Sequence, residues 1–183
     1  ERVDRGEIER LMVCMPPGSA KSTYTSVIFP AWFLGRNPAK SVIAASHTQE
    51  LAERFGRRVR NIVAAREYGN VFGVGVAEDS AAAGRWDTDK GGEYYAAGVG
   101  GSITGRRADL AIIDDPVKSR EDADSERGRD KAWDWYTNDL LTRLKPGSRQ
   151  IVVMTRWHED DLGGRILERE RDRWHVIEIP MEA

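Results

Sequence analysis

The chain holds one cysteine, Cys14, so no internal disulfide can form. That usage fits a reducing compartment, and a thiol inside an apolar run reads as buried and inert. No apolar run reaches the roughly 20 residues a membrane-spanning helix needs, and no segment has the order of a secretory leader. Histidine is scarce, three in 183 residues. No second histidine or cysteine stands at metal-ligand spacing, which argues against a zinc site. Repeats and low-complexity tracts are missing. Neither sign of charge dominates: 28 basic and 30 acidic residues leave a net charge of -2. Bulk charge therefore argues neither for nor against a nucleic-acid partner, and any basic surface has to be local.

What remains is a globular composition, 40% hydrophobic and 32% charged with six tryptophans. The length suits one α/β domain with a full core. The chain begins at Glu1 rather than Met and stops at Ala183, soon after a strand-like run. The expectation is one domain over 1–183, an excised piece of a longer protein.

The stretch that organises the rest is Met15-Pro16-Pro17-Gly18-Ser19-Ala20-Lys21-Ser22-Thr23. The apolar run Leu11–Met15 leads in and a helix-compatible run leads out. Strand, short loop with Lys-Ser, helix is the layout of a phosphate-binding loop. Backbone N–H groups at a helix start face phosphate oxygens, a lysine reaches the outer phosphates, and a hydroxyl meets Mg²⁺. Pro17, Gly18, Ser19, Ala20, Lys21, Ser22 and Thr23 are the candidates for that cradle. Against G-x-x-x-x-G-K-[ST], Met15 and Ala20 replace both glycines, and Gly18 lies inside the loop. An ordinary proline-glycine turn before a helix is the competing reading.

Further along, Thr25–Leu34 reads as a helix with Val27, Ile28, Ala31 and Leu34 on one face, kinked or shortened by Pro30. Ser41–Ser46 reads as a second buried strand. Thr48 reads as the cap of a helix whose core face is Leu51, Phe55, Val59, Ile62 and Val63. Arg54, Arg57, Arg58 and Arg60 crowd its other side, either as a solvated face or as a surface that tracks DNA phosphates. Glu67–Gly84 reads as loop with short edge structure. Arg85–Asp87 and Glu93–Ala97 read as short strands, a hairpin across Lys90-Gly91-Gly92. A glycine-rich loop then ends in Thr104-Gly105-Arg106-Arg107.

Asp109–Asp115 is an apolar strand ending in two carboxylates. In phosphoryl-transfer sites the first such carboxylate holds Mg²⁺ and the next orients or deprotonates the attacking water. Asp114 and Asp115 lie about ninety residues after Lys21-Ser22, and the two motifs meet if their strands are parallel neighbours. Glu121–Leu144 reads as one long helix with Trp133, Tyr136, Leu140 and Leu144 as its packing stripe, ended by Lys145-Pro146-Gly147. Gln150–Met154 is the next strand, with Thr155-Arg156-Trp157-His158 at its exit. Asp160–Arg171 reads as a short helix and Trp174–Ile179 as a last strand. This order predicts an open, mostly parallel sheet with helices on both faces.

Five segments together resemble one family: Pro16–Ser22, Ser46–Ala52, Thr104–Asp109, Ile112–Pro116 and Thr155–Leu162. The chain is similar to the ATPase domain of the large terminase subunit of tailed bacteriophages and prophages, the motor that packages DNA into capsids. The resemblance implies a RecA-like, additional-strand P-loop ATPase fold, with ATP and Mg²⁺ as cofactors. It implies that Lys21 binds the β- and γ-phosphates, that Ser22 and Asp114 hold Mg²⁺, and that Asp115 stands in for the catalytic carboxylate, a position where many relatives carry Glu. Thr155 matches the motif that couples hydrolysis to motion. Arg106 or Arg107 is a candidate arginine finger for a neighbouring subunit in a homo-oligomeric ring, or an ordinary surface ion pair. Implied partners are double-stranded DNA, the portal and the small terminase subunit, in the host bacterial cytoplasm and away from membranes. The family's C-terminal nuclease domain, and its adenine-contacting segment upstream of the loop, are not supplied by these residues. Two other classes stay open: a helicase-like P-loop motor, and a degenerate module that binds nucleotide or DNA without turnover.

Overall fold

The computed structural model describes residues 1–80 and 82–180. Seven strands form one sheet in the order β3-β4-β2-β5-β6-β1-β7. These are β1 (Arg10–Cys14), β2 (Ser41–Ser46), β3 (Arg85–Asp87), β4 (Glu93–Gly98), β5 (Ala108–Asp114), β6 (Leu144–Met154) and β7 (His175–Glu178). All neighbours are parallel except the short edge strand β3, which pairs antiparallel with β4 as the predicted hairpin. The near-continuous apolar runs of β1, β2, β5 and β6 follow from this, since parallel strands are covered on both faces.

Alternate residues divide between two cores. On one face Val42, Ala44, Leu110 and Ile112 pack under α1 (Phe29–Arg36), α2 (Gln49–Val63) and α3 (Arg66–Phe72). On the other, Ile43, Ala45, Ala111 and Ile113 pack under α5 (Glu126–Asp134), the π-helical turn that follows it, and α6 (Leu162–Glu170). The sheet with helices on both faces is the architecture expected from the sequence.

Local departures have physical causes. The first helix begins as a π-helical segment, Thr23–Ile28, and only then becomes α1. Pro30 in the first turn of α1 has no N–H to return to the preceding turn, and the wide π turn absorbs that missing bond. The changed winding leaves Val27, Ala31 and Leu34 buried but turns Ile28 out to 48% exposure, so Ile28 leaves the expected face. In α2, Thr48 accepts the Leu51 amide as the predicted cap. The buried stripe is Ala52, Gly56, Val59 and Val63, while Ile62 is exposed.

Helix α3 lies where loop was expected. Buried Tyr68 anchors it, its hydroxyl donating to the Ala31 carbonyl at 2.6 Å, a tertiary contact that periodicity does not signal.

The long helix expected over Glu121–Leu144 is broken. It forms α4 (Arg120–Asp124), α5, a π-helical turn (Trp135–Leu140) and a 3₁₀ turn (Leu141–Arg143). Ser125 takes extended geometry and caps α5 through Gly128 N–H, and Gly128 approaches the Asp122 carbonyl too closely for any side chain. Leu144-Lys145-Pro146-Gly147 does not end a helix but opens β6. There Lys145 Nζ reaches Asp109 Oδ2 at 2.7 Å, and a tertiary ion pair overrides the local turn signal. Trp135, Tyr136 and Leu140 are core side chains under the sheet.

Candidate active site

The parallel strands β5, β6, β1 and β7 present their C-terminal ends side by side, and the loop leaves β1 between β6 and β7. This is the edge where open α/β sheets bind ligands. Within the loop, Gly18 has φ +77° and Ala20 has φ +60°. Ala20 thus holds the left-handed turn that glycine holds in the standard pattern, at a cost of about 1–2 kcal/mol. Pro17, Gly18 and Ala20 are exposed. Ser19 Oγ donates to the Pro16 carbonyl at 2.7 Å and Thr23 N–H to the Ala20 carbonyl at 2.9 Å, which tightens the loop into the helix. Among the described residues, no hydrogen bond to the protein engages the amides of Gly18, Ser19, Ala20, Lys21 or Ser22. Unpaired amides at the start of a helix suit an anion.

Lys21 is 7% exposed. Its Nζ lies 2.9 Å from Asp115 Oδ2 and 3.1 Å from Thr155 Oγ1. Ser22 Oγ donates to Asp114 Oδ1 at 3.0 Å. Asp114, at the end of β5, is 1% exposed, and its Oδ2 accepts Ser26 Oγ at 2.6 Å. Burial pushes its carboxyl up to about 6, against the Ser26 and Ser22 hydroxyls, which stabilise the charged form. Asp115 follows with φ +42°, a conformation Asp tolerates better than most residues. That bend aims Oδ1 at the Thr155 amide, 2.9 Å away, and Oδ2 at Lys21. Thr155 closes the ring by donating its hydroxyl to the Met15 carbonyl at 3.1 Å. The structure therefore brings Lys21, Ser22, Asp114, Asp115 and Thr155 together from three adjacent strand ends.

Ser26 was not among the sequence candidates. The available signal was a small hydroxyl four residues after Ser22, hence on the same helical side, immediately before the apolar run Val27–Leu34. His47 also reaches this edge, its Nδ1 3.3 Å from the Asp115 carbonyl.

Ser22 Oγ and the Asp114 carboxylate are hard oxygen donors held side by side, a set that suits Mg²⁺, which takes few protein ligands and keeps waters or phosphate oxygens for the rest.

Arg106 and Arg107 are elsewhere. They precede β5, whose far end carries Asp114, so about 20 Å of strand separates them from Lys21 in the same chain. Arg106 is ion-paired with Glu93 at the start of β4 and lies over the Tyr95 ring at 5.0 Å. Arg107 is exposed. On α2, Arg54, Arg57 and Arg58 are exposed as well.

The model of the family described as "Terminase large subunit, T4likevirus-type, N-terminal" matches residues 12–182. Among solved structures, the crystal structure of the HK97 bacteriophage large terminase aligns with a TM-score of 0.61 at 17% identity, over 96% of this chain and 36% of that one. At that identity the likeness is one of fold, and this chain spans about a third of the HK97 protein's length. No curated protein matches.

Proposed function

The chain belongs to the N-terminal part of the T4-like-virus type of large terminase subunits, and on that premise we propose that it is the Mg²⁺-dependent ATPase of a motor that moves double-stranded DNA into a phage capsid. The observation that supports this most is the convergence of Lys21 and Ser22 on Asp114, Asp115 and Thr155 at neighbouring strand ends. A phosphate loop alone would be compatible with simple binding. A second carboxylate within reach of the same lysine adds a group for chemistry.

The roles follow from position. The free amides of Gly18–Ser22 hold phosphate oxygens, and Lys21 neutralises the outer ones. Ser22 and Asp114 would hold Mg²⁺, which supplies charge neutralisation across the phosphate oxygens when bound. Asp115 orients the attacking water and accepts its proton. Thr155 is hydrogen-bonded to both Lys21 and the Met15 carbonyl, so a change at the terminal phosphate is transmitted to β6 and the loop together. In a ring of subunits, Arg107 is the better finger, because Arg106 is already held by Glu93 and Tyr95. The exposed arginines of α2 are a surface for the DNA backbone. Portal and small subunit are partners of the full-length protein under this reading.

A non-hydrolysing, degenerate module is the main competitor, and the replaced loop glycines are its basis. Ala20 weakens that basis, since it adopts the left-handed geometry the missing glycine would supply. A helicase-like motor would require a second RecA-like domain in the full-length protein. The test is phosphate release from ATP with Mg²⁺, with and without linear double-stranded DNA, in wild type, Lys21→Ala and Asp114→Ala. DNA-stimulated release lost in both variants is the expected result. ATP binding without release in the full-length ring would favour the module.

A further inference from the structure

A cleft of about 200 Å³ opens next to the carboxylates, on the side of β5 away from the phosphate loop. The strand order puts it there. β6 and β1, which lead to Thr155 and the loop, lie on one side of β5, and β2 and β4 lie on the other. His47, just past β2, lines the cleft together with Pro116–Lys118, just past Asp115. Asp122 of α4 and Lys131 of α5 complete it from the helical side. The cleft and the candidate active site share a boundary, since His47 Nδ1 lies 3.3 Å from the Asp115 carbonyl.

The lining suits a small anion. Sites for organic ligands start at roughly 300 Å³, so this space fits a compact group better than a nucleotide. Lys118 and Lys131 are exposed, and among the described residues their ammonium groups have no ion-pair partner. The amides of Val117 and Lys118 have no hydrogen-bond partner among those residues either. Two cations and two free amides outweigh the Asp122 carboxylate in the same lining. Thr48, the cap of α2, adds the positive end of that helix's dipole. Such a surplus of donors recruits phosphate through charge-assisted hydrogen bonds.

Hydrolysis at this edge would leave inorganic phosphate beside Asp115 with ADP still in the loop. ADP then closes the way over β6 and β1. The other way leads past His47 toward β2 and into the cleft. We propose that the cleft is a binding site for inorganic phosphate, the station through which the cleaved phosphate leaves ahead of ADP. The proposal rests on the reading of Lys21, Ser22, Asp114 and Asp115 as an ATPase site.

The experiment fills the phosphate loop first. Equilibrium binding of radiolabelled inorganic phosphate is measured on the full-length protein saturated with Mg²⁺ and a non-hydrolysable ATP analogue, so that the terminal-phosphate position is occupied. Wild type is expected to bind phosphate saturably. The double variant Lys118→Gln, Lys131→Gln is expected to bind it about tenfold more weakly, the scale of one hydrogen bond to a charged group, with its affinity for the analogue unchanged. Lys118→Arg with Lys131→Arg should keep the binding. In turnover, added phosphate should inhibit wild type even at saturating ATP, and the Gln variant should need about tenfold more of it. Equal phosphate binding by wild type and the Gln variant overturns the site. So does a wild type that binds the analogue but no phosphate, an outcome that leaves the ATPase reading standing. Phosphate that binds without inhibiting at saturating ATP overturns the exit role. A Gln variant that loses affinity for linear double-stranded DNA while its phosphate inhibition is unchanged gives the cleft to the DNA backbone and overturns the proposal. A wild type that binds no analogue overturns the ATPase reading and the exit with it.

Discussion

Lys21 Nζ lies 2.9 Å from Asp115 Oδ2 and 3.1 Å from Thr155 Oγ1, so one buried ammonium is shared between the groups assigned to the attacking water and to motion. The lysine's charge is balanced within the protein by the carboxylate that would work on the terminal phosphate. Asp115→Asn keeps an acceptor for the Thr155 amide but removes the charge. Turnover should fall by about 10²–10⁴-fold, the usual contribution of a positioned general base. Nucleotide binding should survive or tighten, because Lys21 no longer has a competing anion. Leaving Lys21 with only the Thr155 hydroxyl should lower stability by about 1–3 kcal/mol. Phosphate release, ATP affinity and a denaturation midpoint on the same preparation check all three.

The left-handed backbone of Ala20 makes a second prediction. Ala20→Gly removes about 1–2 kcal/mol of steric cost, and the added freedom of glycine in the unfolded chain returns about 0.4–1 kcal/mol of it. A small net stabilisation of the folded protein is expected, read as a higher urea midpoint with unchanged slope. Ala20→Val, β-branched at the same φ, should destabilise. If Ala20→Gly is itself destabilising, the loop does not hold this geometry in solution.

Ser22 and Ser26 both donate to Asp114, yet they should separate in function. Ser26 is buried, and among the described residues its hydroxyl meets Asp114 Oδ2 and the neighbouring Thr25 hydroxyl. Ser26→Ala leaves a carboxylate oxygen without that donor at a nearly inaccessible site, for a loss of about 1–3 kcal/mol. Its nucleotide affinity should change little. Ser22→Ala should show the reverse, modest loss of stability and a marked loss of Mg²⁺-dependent binding. A denaturation curve and a Mg²⁺ titration of ATP binding on each variant decide it.

Most of the sheet was legible because buried parallel strands are short apolar runs between turn signals. Ser41–Ser46 and the β3–β4 hairpin were placed almost to the residue for that reason. The convergence of Lys21-Ser22 with Asp114-Asp115 was legible because parallel neighbouring strands bring their C-terminal ends together. What was hidden depended on contacts between distant segments. Helix α3 exists because Tyr68 reaches Ala31, and β6 begins early because Lys145 reaches Asp109. The break at Ser125 is a local capping signal that the apolar stripe of Trp133–Leu144 masked. Ser26 was hidden because a hydroxyl on a buried helical face carries no pattern until its partner is known.

Acid should weaken the tie between α5 and the turn before α6. Asp160 accepts from Arg165 at 2.8 Å and 2.7 Å and from Arg129 at 3.0 Å, joining the α5 helix to the turn before α6. The Arg165 guanidinium, then that of Arg129, holds its carboxyl well below the ordinary value of 3.8. A carboxyl lowered on folding adds stability above its unfolded value, and that stability is lost as pH falls through the folded one. The folded protein should therefore lose stability as pH drops below about 4. Asp160→Asn should be less stable than wild type at pH 7 and nearly equal to it at the acid end. Urea midpoints across that range test the convergence, and parallel curves would refute it.

The two arginines before β5 should behave differently although they are adjacent. Arg106 is bound to Glu93 and stacked on Tyr95, so Arg106→Ala should reduce stability, with turnover per folded molecule little changed. Arg107 is exposed about 20 Å of strand away from its own Lys21, too far to act within one subunit. If it acts on the neighbour, Arg107→Ala abolishes turnover in the homogeneous ring by a factor of about 10³ or more. Mixing it with Lys21→Ala then restores part of the activity, since some interfaces pair an intact loop with an intact finger. The same mixture made with Asp115→Asn and Lys21→Ala should not recover, because both lesions lie in one subunit's own site. Steady-state phosphate release across mixing ratios reads the difference: a curve with a maximum places Arg107 in the neighbour's site, and a flat line removes it from the chemistry.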